Sequence, residues 1–281
     1  MRKASVFFLL AASLIISHLT RAAGNENYVF SAPPRGTATE ENPIYQPIAE
    51  YLSSATGKKI VYQHPGNWLS YQRNMQLGAY DLVFDGPHFV AWRMAMAQHE
   101  PVVRLPGKLV FVVIVNEDNI RINEIKDLAG RTVCALAPPN LATLTVTHQF
   151  DNPARQPIVV PTKGFNESYQ GLKSGKCSAT VLRDKMLKKF NAEGVRTIYT
   201  STGVANQAFS AGPRFAAGDK EKMATALLAP EGMERVKKFH DRFNKKRMEL
   251  LNATPSEYDG LWVFLKDVWG YEVKAAQMTQ Q

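Results

Sequence analysis

The chain is α/β in class, with two mainly parallel sheets, each flanked by helices, set as two lobes around a cleft. Three observations predict this. From Tyr28 onward, short apolar runs alternate with amphipathic helical stretches, the rhythm of strands joined by crossover helices. The rhythm is interrupted by one uncharged, β-branched run over 109–115 and resumes at Asp127. The remainder from Thr202 holds too few strand-like runs for a third domain.

In order, the first series reads as strands over 28–31, 59–63 and 81–84, with helices over 43–56, 68–77 and 87–97. Gly78 ends one helix, and Asp85-Gly86-Pro87 is a turn that opens the next. The run 109–115 reads as a strand buried on both faces, broken by Asn116 and Glu117. The second series gives strands over 132–137, 158–160, 178–182 and 196–199, with helices over 142–150, 166–174 and 184–191. An extended stretch at 207–211 and helices over 220–228, 232–251 and 256–269 complete the chain. The economical arrangement is one lobe from 24–115 plus 203–281 and a second from 116–202, and ligands favour the interface of such lobes.

Residues 1–23 read as an export signal. Arg2 and Lys3 precede an apolar run over 6–16, and Ala22 and Ala23 offer a small-residue cleavage site. The apolar run is too short to favour a membrane span and no Cys stands near that cut to carry lipid, so the mature protein is expected to be soluble and exported. Losing Arg2, Lys3 and Arg21 lowers the formal charge from +9 to +6, too modest to point to nucleic acid. The basic stretch ERVKKFHDRFNKKRM carries Phe239, Phe243 and Met248 at helical spacing, which reads as a helix with a solvated charged face. The His residues show no metal-ligand spacing, and neither a metal nor a cofactor is expected. The two cysteines, Cys134 and Cys177, lie near the starts of two strands. They are either a disulfide, worth about 4 kcal/mol on chain entropy, or two buried thiols.

Candidate ligand residues follow from position. In open α/β sheets the carboxyl ends of strands face the ligand crevice, and a following helix start offers free N–H groups to anions. Asp85 and His88 sit at such a place in LGAYDLVFDGPH. Asp85 could accept from a ligand or cap the helix beginning at Pro87, and His88 could donate to an anion or be an ordinary packed histidine. Ser31, Arg35 and Thr37 belong to the loop after the first strand, where Arg35 has the planar fork for a carboxylate or phosphate, or is simply solvated. Tyr71, with Trp68, is either an aromatic wall or core. Asn140 and Thr143 open the helix after strand 132–137, and Arg183 either adds positive charge at the crossing edge or pairs with Asp184. No Gly-x-Ser-x-Gly elbow, P-loop or dinucleotide fingerprint is present, so no catalytic residue is assigned.

Four stretches resemble one family in order. They are YQPIAEYLSSATGK, LGAYDLVFDGPHFVAW, KLVFVVIVNED followed by IKDLAGRTVCALAPPN, and ATPSEYDGLW. Together they resemble the bacterial phosphonate-type periplasmic binding proteins, the solute receptors of ABC importers. The resemblance implies a type II periplasmic-binding-protein fold, a periplasmic location, a small-molecule solute held between the lobes and a membrane permease as partner; a monomer is expected. It leaves a membrane sensor as the alternative partner, with an enzyme on the same fold a third reading. Family members that hold phosphonate present a Ser-Thr-Ser-Gly run at the second-lobe helix start, where this chain has Pro139-Asn140-Leu141-Ala142-Thr143. A family histidine before the next helix is replaced by Asn166. The resemblance therefore implies a phosphonate, another oxyanion or a small organic solute.

Overall fold

The computed structural model describes residues 27–190 and 193–272, so the expected export signal lies outside the described residues. The chain begins with β1 (Tyr28–Ser31), α1 (Ala38–Thr56), β2 (Ile60–Tyr62), α2 (Trp68–Gln76), β3 (Leu82–Asp85), α3 (Pro87–Ala97) and β4 (Glu100–Arg104). After the short β5 (Lys108–Leu109), a second series runs β6 (Phe111–Asn116), β7 (Thr132–Leu136), α4 (Leu141–Thr147), β8 (Ile158–Thr162), α5 (Phe165–Lys173), β9 (Ala179–Arg183), α6 (Asp184–Lys189) and β10 (Val195–Thr200). The return comprises β11 (Val204–Ala205), β12 (Ala208–Ala211), α7 (Ala217–Leu228), α8 (Pro230–Arg235), α9 (Lys237–Phe243) and β13 (Leu251–Asn252).

These strands form two large sheets. The first has the order β13-β4-β12-β3-β1-β2 and the second β10-β6-β9-β7-β8. Both are more mixed than the sequence suggests. β1 pairs in parallel with β2 and β3, and β7 with β8 and β9, whereas the strands nearest the two crossings pair antiparallel. The chain changes sheet between Arg104 and Phe111, ahead of the expected limit after residue 115, because the run read as doubly buried is β6, inside the second sheet between β9 and β10. It returns between Thr200 and Ala208, and β5 pairs with β11 beside both crossings.

Alternation along each strand fills two faces per sheet. On the first sheet, Phe30, Leu82, Phe84 and Phe209 pack with Tyr45, Ile48 and Leu52 of α1 and with Met223, Leu227 and Phe239. Its other face sets Val83 against Tyr71, Phe89 and Trp92. On the second sheet, Val113, Val133 and Val181 pack with Leu141, Ala142 and Val146 of α4, and Ile114 and Leu182 pack with Tyr169 and Leu172 of α5. Each such side chain contributes about 1.5–3 kcal/mol by leaving water. Two residues carry this packing across the boundary. Leu144 of α4 joins the Phe89–Trp92–Leu265–Tyr271 cluster, and Phe264 packs against that cluster and the second-lobe core.

Local chemistry explains where the elements depart from expectation. Helix α1 starts at Ala38 rather than 43, because Thr37 and Glu40 form a capping box ahead of Pro43 and Pro47. The expected helix 232–251 is divided at Val236 and ends at Asn244, whose amide donates to the Met248 carbonyl and lets the chain turn into β13. Instead of a helix over 256–269 there are two 3-10 turns, Pro255–Glu257 and Leu261–Leu265, separated at Gly260, whose φ of 73° is easy only for glycine. β4 and β13, missed from the sequence, are antiparallel additions, one carrying a proline and the other two residues long.

A disulfide joins Cys134 of β7 to Cys177, with a Cα–Cα distance of 5.6 Å. Helix α5 passes close above it. A Cβ on Gly171 would collide with the Cys134 sulfur, so this position needs glycine for its lack of bulk.

Candidate functional site

β1, β2 and β3 run in parallel, so their carboxyl ends share one edge of the first sheet. β12 is antiparallel and sets Ala208 opposite Asp85, which brings Gln207 to the same edge. Arg35, in the loop after β1, donates from Nη1 to the Tyr45 hydroxyl at 3.1 Å and from Nη2 to Gln207 Oε1 at 3.0 Å. Its guanidinium lies against the rings of Phe84 and Phe243, at 5.7 and 5.3 Å. All these partners are neutral, and the guanidinium makes no ion pair among the described residues. The nearby Glu41 is fully buried; burial raises its pKa, opposed by the Arg242 guanidinium at 3.4 Å.

Asp85 is used differently. It ends β3, and the residue at the N-cap of α3 is Gly86, so the capping reading gives way. Asp85 Oδ2 accepts from Arg93 Nε at 2.7 Å and Oδ1 accepts from the Tyr71 hydroxyl, while Arg93 Nη2 reaches that hydroxyl at 3.0 Å. All three side chains are sealed from solvent. Burial pushes the Tyr71 phenol well above its usual range; burial alone would lower Arg93, but Tyr71 and Asp85 together hold it charged. Both Asp85 oxygens are thus bonded within the lobe, and Tyr71 is core. Its neighbour Trp68 stands at the surface.

His88 lies one residue inside α3 and is 4% exposed. Its Nε2 donates to the carbonyl of Pro139, at 3.0 Å, in the loop that follows β7. This bond joins the carboxyl edges of the two sheets. Burial lowers the His88 pKa to about 4, with the Arg35 charge acting in the same direction, so the ring is neutral at neutral pH. Nδ1 is buried without a partner.

At the second edge, β7, β8 and β9 are also parallel, with Leu136 opposite Thr162 and Cys134 opposite Thr180. Asn140 caps α4 by accepting from the Ala142 N–H at 3.0 Å. Thr143 is buried and returns its hydroxyl to the Leu136 carbonyl. Arg183 ends β9; burial lowers its pKa, its Nε has no partner, and it makes no ion pair among the described residues. The adjacent Asp184 accepts from the Lys185 N–H instead.

Of the residues singled out from sequence, the fold therefore gathers Arg35 and His88 at one edge and seats the loop before Asn140 against His88. Arg183 closes the corresponding strand of the other sheet. Ser31 donates to the Gln63 carbonyl at 2.8 Å, Thr37 is an exposed cap, and Asn166 is exposed in the first turn of α5. Sequence reasoning missed Arg93, Gln207 and the Pro139 carbonyl. Arg93 left a readable signal, as the lone charge in the otherwise apolar helix PHFVAWRMAMA. A backbone carbonyl leaves none.

A cavity of about 690 Å³ opens at the side of this seam, between α2, α4 and the chain end. Trp68, Phe150, Phe264, Trp269 and Tyr271 give it an aromatic lining, and Pro139 forms part of its wall. None of the ten sequence-derived candidates lines it. Its one lysine, Lys266, lies 3.9 Å from Asp267, so the cavity lacks the unbalanced positive charge of the arginine-bearing edges. Among the described residues no group of three or more His, Cys, Asp or Glu side chains is placed to hold a metal, and no helix is long and apolar enough to cross a membrane.

Comparison with known proteins places this geometry in a family. Residues 30–258 match the family described as ABC transporter, phosphonate, periplasmic substrate-binding protein. The phosphate-import protein PhnD of Mycolicibacterium smegmatis is 22% identical over 276 residues, covering 84% of each chain. PhnD1 from Prochlorococcus marinus, solved in complex with methylphosphonate, superposes with a TM-score of 0.63 at 13% identity, covering 89% of this chain and all of that one. A binding-protein component of an ABC phosphonate transporter from Pseudomonas aeruginosa gives 0.57 at 10% identity, covering 83% of both. At such identities the structural likeness speaks for the fold, the two-lobed type II arrangement. The family match covers most of the chain, and the protein belongs to the phosphonate family of periplasmic substrate-binding proteins. Its function is to bind a small-molecule substrate for an ABC importer, and it is not an enzyme.

Proposed function

We propose that this binding protein captures a small tetrahedral oxyanion of the phosphonate or phosphate class between the carboxyl edges of its two sheets. The observation that carries the reading is a pair of arginines whose guanidinium groups no carboxylate meets within ion-pair distance among the described residues. Arg35 follows β1 and Arg183 ends β9, and neither makes an ion pair among the described residues. Holding a desolvated guanidinium unpaired is unfavourable, and an anion that bonds it recovers that free energy through charge-assisted hydrogen bonds. Asn140, whose oxygen is committed to the Ala142 N–H, would add its side-chain N–H group as a donor on the second edge.

The lobes part to admit solute and close on it. Residues up to about Arg104 and from about Ala208 move as one body, with Phe111 to Thr200 as the other, and the β5–β11 ribbon lies at the crossings. The closed form, with His88 on Pro139, is the one presented to the permease. Residues 1–23 direct export, and the mature protein works as a soluble monomer in the periplasm. M. smegmatis PhnD is a phosphate-import protein and P. marinus PhnD1 was solved with methylphosphonate, which supports these two anions as first probes.

Calorimetric titration of the mature protein with phosphate, phosphite and methylphosphonate, against acetate and a neutral sugar, tests this. Saturable binding of at least one phosphorus oxyanion, weakened tenfold or more in each of Arg35→Met and Arg183→Met, is the expected result. Binding of acetate or sugar alone would overturn it.

A further inference from the structure

The hydrogen-bonding state of His88 narrows the ligand further, resting on the oxyanion reading above. The Pro139 carbonyl can only accept, so the 3.0 Å bond to Nε2 fixes the proton on that nitrogen. A neutral ring with its proton on Nε2 has a bare lone pair on Nδ1. That atom is buried and without a partner, in a side chain 96% removed from solvent. Gly86 keeps that flank of the ring free of a side chain. A Cβ there would stand 3.2 Å from Nδ1 and 3.0 Å from Cε1, so any other residue would press its side chain onto this side of the ring.

The edge therefore combines a cation, Arg35, with an acceptor that needs a hydrogen. A protonated amine alone would satisfy Nδ1 but would face the Arg35 charge. An anion without hydrogen would satisfy Arg35 but set oxygen lone pairs against nitrogen. Within the oxyanion reading, the ligands that meet both demands are those that keep an acidic O–H. Phosphite, phosphate and phosphonate monoanions have one; sulfate and sulfonates, fully ionised at neutral pH, do not.

We propose that His88 is a specificity-determining residue that accepts a hydrogen bond at Nδ1 from the P–O–H group of a singly ionised phosphorus oxyanion, and thereby excludes sulfate and sulfonates of the same shape. A site built to bond a ligand hydroxyl rejects the analogue lacking it far more strongly than a merely apolar pocket does. No bond is made or broken in this step, and the proton stays on the ligand.

The test is calorimetric titration near pH 6 with methylphosphonate and phosphite against methanesulfonate and sulfate. The expected result is a preference for the phosphorus ligands of at least about a hundredfold. His88→Gln places an amide near the Nε2 position, able to keep the Pro139 bond, and has no atom at Nδ1. It should reduce the preference to within about tenfold. His88→Asn places its oxygen near Nδ1 and should retain the preference, though the bond to Pro139 is lost. The wild-type protein supplies a reading that needs no variant: methylphosphonate should bind more weakly as pH rises past its second ionisation, while sulfate shows no such fall. Equal binding of methylphosphonate and methanesulfonate, an undiminished preference in His88→Gln, or phosphonate affinity that rises with its second ionisation would each overturn the proposal and leave the oxyanion reading standing. Binding of neither class would overturn both.

Discussion

The carboxyl edges of the two sheets meet at one seam and are equipped in different ways. The first edge is rich in charge, and its groups are held by side chains: Asp85 by Arg93 and Tyr71, Arg35 by Tyr45 and Gln207. The second edge returns its polar groups to the main chain, through Asn140 and Thr143, and leaves Arg183 without a hydrogen-bonded anchor at Nε. A disulfide braces that lobe instead. The contrast teaches that a residue's type says little about its availability. Arg93 and Arg35 belong to the same edge, yet one guanidinium is closed by a carboxylate and the other is hydrogen-bonded only to neutral side chains, with Glu41 meeting the Arg35 main-chain N–H instead.

The strongest way to break this comparison is Asp85→Ala. It would strand the Arg93 charge in the core, and removing one partner of a buried pair costs about 3–5 kcal/mol. A urea midpoint close to wild type would show that Arg93 has another counter-ion. Next, replacing Cys134 and Cys177 by alanine should cost about 4 kcal/mol on the chain-entropy account. Hydrogen exchange should place the loss in β7, β8 and β9 and spare β1 to β3; uniform loss across both sheets would mean the disulfide braces more than its own lobe. Arg35→Met and Arg183→Met should each weaken methylphosphonate binding by tenfold or more, about 1.4 kcal/mol. Arg183→Met should leave folding stability unchanged or improved, because it removes a desolvated, unpaired charge.

Acid should act on the first lobe through its buried histidines. His88 is pushed down to about 4 and His99 to about 3, so the unfolded chain binds more protons than the folded one below the ordinary histidine range near 6.5. Their contribution is complete above that range and is lost as pH falls from 6.5 toward the folded values. His88→Gln should flatten part of this slope, and an unchanged profile would place the sensitivity elsewhere. The smallest effect belongs to Thr37→Ala, which removes the α1 cap at about 1 kcal/mol with no change in ligand affinity.

Much of this was legible in advance, and the failures have physical causes. The αβ rhythm located β1, α3, β7 and β9 closely because their apolar periodicity is strong and their ends are marked by turn residues. The run 109–115 reads as doubly buried, but burial does not tell which sheet a strand enters, and β6 lies inside the second one. Over 232–251, composition favoured one long helix, but Val236 and Asn244 divide it where the chain must turn to reach β4. At the seam, hydrogen-bond partnership is not readable from sequence. From sequence Asp85 is either a ligand acceptor or a helix cap and Tyr71 either an aromatic wall or core, and only three-dimensional packing reveals Arg93 bonded to both.

The bond from His88 to Pro139 has a further consequence for how this receptor can change. Its acceptor belongs to the polypeptide itself, so replacing the side chain at position 139 still leaves an oxygen there to be met. Mutational drift on that loop can reshape the neighbouring cavity wall while the fastening between the halves persists. Selection acting on this bond has a single handle, the imidazole, and under the specificity proposal the same ring would also meet the solute.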